Sequence, residues 1–182
     1  GRDAFYRGAI AEDIVATVRA KGSLLAMEDL AAHESTWVKP ISAEFMGREV
    51  LEIPPSGQGL TALVALNILS QFGLSRHAPD SVERHHLEIE AMKLAWELRN
   101  RHIADPAFHE VPVDELLSAK TAQKLAAMID MNRALDIQTA MRTSDTIYLS
   151  VVDEKRLAVS FINSVYDGFG SCVVTPKTGI AL

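Results

Sequence analysis

Apolar residues in the first two thirds of the chain recur mostly at helical spacing. Apolar positions three or four residues apart predict a helix over residues 9–21, which Gly22 ends. A stretch that is apolar almost all round predicts a buried helix over residues 60–71. Further helices are predicted at residues 28–32, 81–102 and 120–129, and in a stretch that begins at Pro112. Residues 37–53 are predicted to be extended, with a turn at Gly47 and Arg48.

Two later segments change to the period of a strand. Residues 146–152 and residues 157–161 each alternate between two faces, and the polar residues 153–156 lie between them. This pattern predicts a β-hairpin whose turn is capped by Asp153. The helices come first and the strand pair comes last, an order that indicates the α+β class.

Composition and charge argue against several classes of protein. The 182 residues carry a net charge of −6, whereas a nucleic-acid surface needs clustered Lys and Arg. No apolar run reaches the roughly 18 residues of a membrane span. The lone Cys172 excludes an internal disulfide and is expected to be buried. His85 and His86 are adjacent and point in different directions on a helix, so we predict neither a metal site nor a cofactor.

Thr146 opens the first strand of the predicted hairpin and is a candidate nucleophile. A cut just before this residue would place a new α-amino group beside its hydroxyl, where the amine can act as the general base. An α-amine has a pKa of about 7.7–8.0, which is close to working pH. Thr is also a good strand former, so the residues alone leave a catalytic and a purely structural interpretation open.

The first strand of the hairpin also carries a distinctive block. Residues 146–153 read Thr-Ile-Tyr-Leu-Ser-Val-Val-Asp. This block resembles the Thr-Thr-His-x-Ser-Val-Val-Asp sequence at the self-cleavage site of the γ-glutamyltransferase (γ-glutamyltranspeptidase) family of N-terminal-nucleophile hydrolases. Ile147 and Tyr148 depart from the family's Thr-His. Other blocks resemble the family in the same order along the chain, at residues 5–8, 28–30, 54–57, 90–95, 105–106, 158–160, 169–171 and 178–180.

The resemblance implies a fold and a subunit boundary. It implies that this α+β chain is part of a four-layer αββα sandwich of the N-terminal-nucleophile hydrolase type. Residues 1–145 then correspond to the mostly helical C-terminal part of the large subunit, and residues 146–182 to the N-terminal strands of the small subunit. The bond between Asp145 and Thr146 is the expected cleavage site. We therefore expect the chain to be a fragment, with a periplasmic and a cytoplasmic location both open.

The same resemblance gives roles to three side chains. Thr146 is the nucleophile, and Ser164 takes the place of a second family hydroxyl that hydrogen-bonds the catalytic threonine. Tyr166 replaces an Asn that, in many transpeptidases, contacts the threonine amine or the amino-acid end of the substrate. A phenol is bulkier than an amide and lacks its paired donor and acceptor, so glutathione itself is expected to be a poorer substrate.

The reaction implied by the resemblance is γ-glutamyl acyl transfer or hydrolysis. The donor is a γ-glutamyl compound such as glutathione, and the acceptor is an amino acid, a peptide or water. The remainder of the chain's own large and small subunits is the expected partner, with the oxyanion hole beyond Leu182, so the isolated chain is predicted to be inactive. Two alternatives stay open: a related amidase or β-lactam side-chain acylase, and a non-catalytic fragment or interaction module.

Overall fold

The structure is a computed structural model that describes residues 1–137, 146–165 and 168–182, with only the backbone of Thr146 included. Helices precede the last strand pair of the chain, and the α+β class predicted from the sequence is confirmed. In the described residues the elements are α1 (Arg2–Tyr6), α2 (Ala9–Arg19), α3 (Met27–Ala32), β1 (Ile41–Phe45), β2 (Arg48–Glu52), α4 (Gly59–Leu69), a 3₁₀ turn (Leu74–Arg76), α5 (Val82–His102), α6 (Val113–Leu116), α7 (Ala119–Ala126), β3 (Thr146–Val152) and β4 (Ala158–Ser164).

The chain divides into two units. One unit combines Gly1–Thr36 with Met141–Leu182, and the other is formed by Trp37–Ala140. The first unit therefore brings together segments from the two ends of the sequence, with helices α1–α3 from one end and the β3–β4 hairpin from the other. Within the described residues, no helix has both the length and the apolar character needed to cross a membrane.

The core of the second unit forms around α4. This helix packs against α5, α7 and strand β1, and most of its residues are buried, as its apolar sequence predicts. Helix α5 contributes a buried stripe at helical spacing, and its N-terminus is capped by the Ser81 hydroxyl, which accepts the Arg84 N–H at 3.2 Å. Burying one side chain of leucine size contributes about 1.5–3 kcal/mol, so the buried residues of α4 and α5 contribute strongly to the stability of this unit. The stripe consists of Leu87, Ala91, Leu94 and Ala95.

Two charged side chains of α5 bind the backbone of Leu135. Glu90 is only 2% exposed, and its two carboxylate oxygens accept the Lys93 Nζ at 3.0 Å and the Leu135 N–H at 2.8 Å. Lys93 Nζ also donates to the Leu135 carbonyl oxygen. One helical turn earlier, His86 Nε2 lies 2.9 Å from the carbonyl oxygen of Asp130. We call Glu90, Lys93 and Leu135 the Leu135 clamp, because together they hold the segment that follows α7.

Three local details differ from the sequence prediction. Helix α1 is missed because five residues are too short for a periodic pattern to be recognised. The turn between β1 and β2 is formed by Met46 and Gly47 rather than Gly47 and Arg48. Both turn residues have positive φ (52° and 74°), as a two-residue type I′ hairpin turn requires. Cys172 is exposed rather than buried, because it lies in a turn with a φ of 58°.

Candidate active site

The β3–β4 hairpin sets Thr146 and Ser164 directly opposite each other. The two strands are antiparallel, and their register pairs Thr146 with Ser164 at the open end and Val152 with Ala158 beside the turn. The hairpin predicted from the alternating sequence is therefore confirmed. The two hydroxyl residues that the family resemblance selects, 18 positions apart in sequence, are direct cross-strand neighbours.

Asp153 holds this register from the other end of the hairpin. Its N–H donates to the Leu157 carbonyl oxygen at 3.0 Å, and its carboxylate accepts the Leu157 N–H at 2.8 Å. Its own carbonyl oxygen accepts the Arg156 N–H at 3.0 Å. Asp153 caps the turn, as predicted. A register slip would move Ser164 away from its place opposite Thr146, so this turn helps to build the site.

Tyr148 and Ser160 form a hydroxyl pair across the two strands. Ser160 Oγ donates to Tyr148 Oη at 3.0 Å. Tyr148 stands two residues after Thr146, at the position where the family block has His, and its side chain is 60% exposed. The contact is diagonal across the strand pair and depends on the register. A polar ring is therefore held by a hydrogen bond near the head of β3.

Gly170 lies where the chain after β4 meets residue 182. Its φ is +60°, and a Cβ added there would lie 2.7 Å from the Leu182 carbonyl oxygen and 3.0 Å from Val165 Cβ. The same carbonyl oxygen accepts the Ser171 N–H at 2.7 Å and the Ser171 hydroxyl at 2.6 Å. Any side chain at position 170 would displace backbone, so glycine is required. The Leu182 carbonyl oxygen and the Val165 side chain therefore both lie close to the backbone of Gly170.

The described part of the chain includes the candidate site only in part. Tyr166 and Asp145 lie outside the described residues, and Thr146 is represented by its backbone. Among the described residues, no group of three His, Cys, Asp or Glu side chains is arranged to hold a metal ion. The site that the structure places is therefore the open end of the hairpin, with Thr146 paired to Ser164 and Tyr148 nearby.

Two buried carboxylates were not apparent from the sequence. Asp13 is 3% exposed and Glu90 is 2% exposed. Each has a partner that is distant in sequence, since Asp13 binds Thr178 and Glu90 binds the backbone of Leu135. The available signal is an acidic residue among the buried positions of a helix, which marks a carboxylate that must find hydrogen-bond partners on folding.

The described α+β chain shares its fold with a cephalosporin acylase and a gamma-glutamyltranspeptidase, which are N-terminal-nucleophile hydrolases. Within that class it belongs to the gamma-glutamyltranspeptidase family, whose family model matches residues 1–182.

Known relatives carry several different activities in their names. The chain is 38% identical over 182 residues to the glutathione hydrolase-like YwrD proenzyme of Bacillus subtilis (strain 168), covering 100% of this chain and 34% of that protein. It is 37% identical over 180 residues to the oxamate amidohydrolase proenzyme of Klebsiella pneumoniae subsp. pneumoniae, covering 99% of this chain and 34% of that protein. The chain thus spans about a third of the length of the curated relatives that it matches.

Solved structures give the same grouping. Cephalosporin acylase from Bacillus halodurans superposes with a TM-score of 0.78 at 39% identity, covering 99% of this chain and 32% of that chain. Helicobacter pylori gamma-glutamyltranspeptidase superposes with a TM-score of 0.65 at 25% identity, covering 80% of this chain and 44% of that chain. The fold is therefore shared by an acylase and a transpeptidase.

Proposed function

We propose that this chain carries the nucleophile of a γ-glutamyltranspeptidase-family enzyme that matures by cleavage between Asp145 and Thr146. The observation that supports this most is the hairpin register, in which Thr146 is opposite Ser164. Directly opposed residues of an antiparallel pair have Cβ atoms about 4.5–5.5 Å apart, so hydroxyls at these positions are within reach of each other. A serine there can donate a hydrogen bond to a threonine oxygen, or accept one from it.

The proposed reaction is acyl transfer from a γ-glutamyl amide. Thr146 Oγ1 attacks the amide carbonyl carbon, and the free α-amine of Thr146 takes the hydroxyl proton. The C–N bond then breaks, the departing amine receives that proton, and a γ-glutamyl ester remains on Thr146. Water or the amine of an amino acid or peptide attacks the ester and releases the threonine. The α-amine suits this shuttle because its pKa of about 7.7–8.0 is near working pH.

The isolated chain is expected to be inactive. The tetrahedral intermediate carries a negative oxygen that needs fixed hydrogen-bond donors, and losing one such donor costs about a hundred- to a thousand-fold in rate. The relatives are about three times as long as this chain, and we place these donors and the rest of the substrate pocket in the remaining subunit regions. Activity is therefore a property of the whole protein.

A second candidate is an amidase or β-lactam side-chain acylase with the same nucleophile. The tyrosine at position 166 supports it. Overall identity does not separate the two candidates, because the chain is 39% identical to a cephalosporin acylase and 38% identical to the glutathione hydrolase-like proenzyme of Bacillus subtilis. Both candidates use the same bond-forming step and differ in the acyl group. Turnover of γ-glutamyl anilide, oxamate and an acylated cephalosporin by the whole protein would separate them, and a folded protein that turns over none of the three would indicate a non-catalytic module.

Maturation gives the direct test of the proposed function. We expect the purified whole protein to separate into two bands on a denaturing gel, with the smaller subunit beginning at Thr146. N-terminal sequencing of that subunit measures the cleavage point to the residue. A start at Thr143, or a single uncut band under conditions where the protein is folded, would rule out Thr146 as the freed nucleophile.

Position 166 controls the choice of donor in this proposal. Tyr166→Asn is expected to raise kcat/KM for glutathione about ten- to a hundred-fold in the whole protein. An amide there would restore a hydrogen bond to a charged group, which is worth about 1.5–3 kcal/mol. Steady-state kinetics with glutathione measure the change.

Tyr166→Phe is the matched control for this substitution. It removes the hydroxyl but keeps the ring and supplies no amide, so kcat/KM for glutathione should not rise. If Tyr166→Asn gives the same value as wild type while cleavage before Thr146 is intact, then the tyrosine packs against its surroundings and other residues set the donor preference.

A further inference from the structure

Asp13 is a buried anion in the first unit. It lies in α2 with 3% of its surface exposed, whereas its neighbour Glu12 is exposed. A carboxylate removed from water is costly unless hydrogen-bond donors replace the water. The Asp13 carboxylate therefore needs hydrogen-bond donors from the protein, and the identity of these donors indicates the role of this residue.

The donors come from a single turn at residues 175–179. Asp13 Oδ2 accepts the Lys177 N–H at 3.1 Å, the Thr178 N–H at 2.7 Å and the Thr178 hydroxyl at 2.8 Å. Two successive backbone N–H groups and a hydroxyl thus converge on one oxygen. Such an arrangement of backbone donors is a general way to bind an anion.

The turn has its own internal hydrogen bonds. Thr175 is 1% exposed. The Thr175 hydroxyl lies 2.7 Å from the Thr178 hydroxyl and accepts the Ile180 N–H at 2.8 Å. The Gly179 N–H donates to the Thr175 carbonyl oxygen at 3.0 Å. Burial acts to raise the pKa of the Asp13 carboxyl, but the bonds from Thr178, Lys177 and Thr175 outweigh it and hold that pKa below its ordinary value of 3.8. The turn therefore receives a charged carboxylate.

The contact joins opposite sides of the proposed cleavage site. Asp13 precedes the Asp145–Thr146 bond, whereas Lys177 and Thr178 follow it, 164 and 165 positions away from Asp13. We infer that Asp13 is a subunit tie: after cleavage, its carboxylate binds the anion-binding turn of the small subunit and retains that subunit on the large one. This inference rests on the proposed function, because it requires the cut before Thr146.

Cleavage changes the consequence of losing the Asp13 contact from lower stability to subunit dissociation. In an uncut chain the two sides stay covalently connected, so losing the contact lowers stability but separates nothing. After the cut the same hydrogen bonds join two molecules, so their loss raises the dissociation constant of the two subunits, and the dissociated fraction then depends on protein concentration. This difference distinguishes a subunit tie from an ordinary buried contact.

The test compares Asp13→Ala, Asp13→Asn and Glu12→Ala in the mature whole protein. Glu12→Ala is the matched control, because it removes the same charge from the adjacent, exposed position of the same helix. A denaturing gel measures the cut fraction, and sedimentation over a dilution series measures the dissociation constant of the two subunits. We expect Asp13→Ala to raise this constant about ten- to a hundred-fold, as for lost hydrogen bonds to a charged group. Asp13→Asn should raise it less, and Glu12→Ala should leave it unchanged.

An uncut arm completes the design. In a Thr146→Ala background the same Asp13 changes should lower the unfolding temperature with no dependence on protein concentration. If Asp13→Ala does not accumulate as folded protein, the isosteric Asp13→Asn decides the result. Equal dissociation constants for the Asp13 and Glu12 variants in fully cut protein would overturn the tie and leave the proposed function standing.

A wild-type protein that stays uncut would contradict the proposed function instead. A protease recognition sequence inserted after Ala140 then allows the Thr146→Ala chain to be cut deliberately. A dissociation constant of those two pieces that rises with Asp13→Ala, but not with Glu12→Ala, would still support Asp13 as the contact that joins them. Equal dissociation constants for the Asp13→Ala and Glu12→Ala pieces would reject Asp13 as that contact.

Discussion

Thr146→Ala is expected to abolish self-cleavage of the whole protein and to lower its turnover of a γ-glutamyl anilide at least about a thousand-fold. The same oxygen makes the first attack in both reactions, and loss of a nucleophile generally costs this much or more. The gel gives the cut fraction, and release of the aniline gives the rate. Thr146→Ser keeps a hydroxyl and an α-amine after cleavage, so it should retain part of both activities.

Thr143→Ala is the control for this experiment. Thr143 precedes Thr146 by three positions and lies outside the described residues. Its hydroxyl has no role in the proposed reaction, so cleavage and turnover should match the wild type. If Thr146→Ala still hydrolyses the anilide, or if Thr143→Ala alone prevents cleavage, the nucleophile must be assigned to another residue.

The elements whose signals are local could be predicted from the sequence. Strand β3 alternates from Ile147 to Val151, and α4 is apolar apart from Gly59, Thr61 and Asn67, so neither depends on distant parts of the chain for its type. The long helix α5 begins directly after the capping Ser81, as the pattern of residues 81–102 predicts. Periodicity and capping are properties of neighbouring residues, which is why they are readable before the fold is known.

The register of the hairpin could not be obtained in that way. The alternating pattern begins the second strand at Leu157, and pairing Leu157 with Val152 would set Thr146 opposite Asn163. In the structure Leu157 belongs to the turn, where its N–H and carbonyl both bind Asp153, and Thr146 faces Ser164 instead. One residue in a turn therefore decides which side chain stands beside the candidate nucleophile.

The roles of Thr146 and Ser164 also required more than spacing. The residues alone allow Thr146 to be a strand former, and the family resemblance selects the catalytic interpretation. The buried charges carry no comparable signal, because the backbone donors Thr178 to Asp13 and Leu135 to Glu90 lie about 165 and 45 positions away. Contacts over such separations are set by the packing of whole elements, and a single sequence does not reveal them.

The Leu135 clamp gives the second large expected effect. Lys93→Met is expected to lower the free energy of unfolding by about 3–5 kcal/mol, because it leaves the charge of Glu90 buried without its cation. Methionine keeps much of the length and apolar stem of lysine, so the change tests charge rather than volume. Urea unfolding of the whole protein, with an unchanged slope, measures the effect.

Arg101→Met provides a comparison on the same helix. Arg101 also pairs with a glutamate of α5, Glu97, at 2.5 Å, but the two side chains are 66% and 33% exposed. An exposed pair of this kind contributes about 0–1 kcal/mol, so its loss should be several times less costly than the loss of Lys93.

A double variant separates charge from packing at the clamp. Removing the carboxylate as well, in Lys93→Met with Glu90→Leu, should recover part of the lost stability, because no unpaired charge is then left in the core. The Leu135 N–H would still lack its acceptor, so recovery should be incomplete. Equal losses for Lys93→Met and Arg101→Met would mean that Glu90 is neutralised or hydrated in the folded protein. The segment after α7 would then be held by the apolar contacts of Leu135 and Ile137 with the core rather than by the clamp.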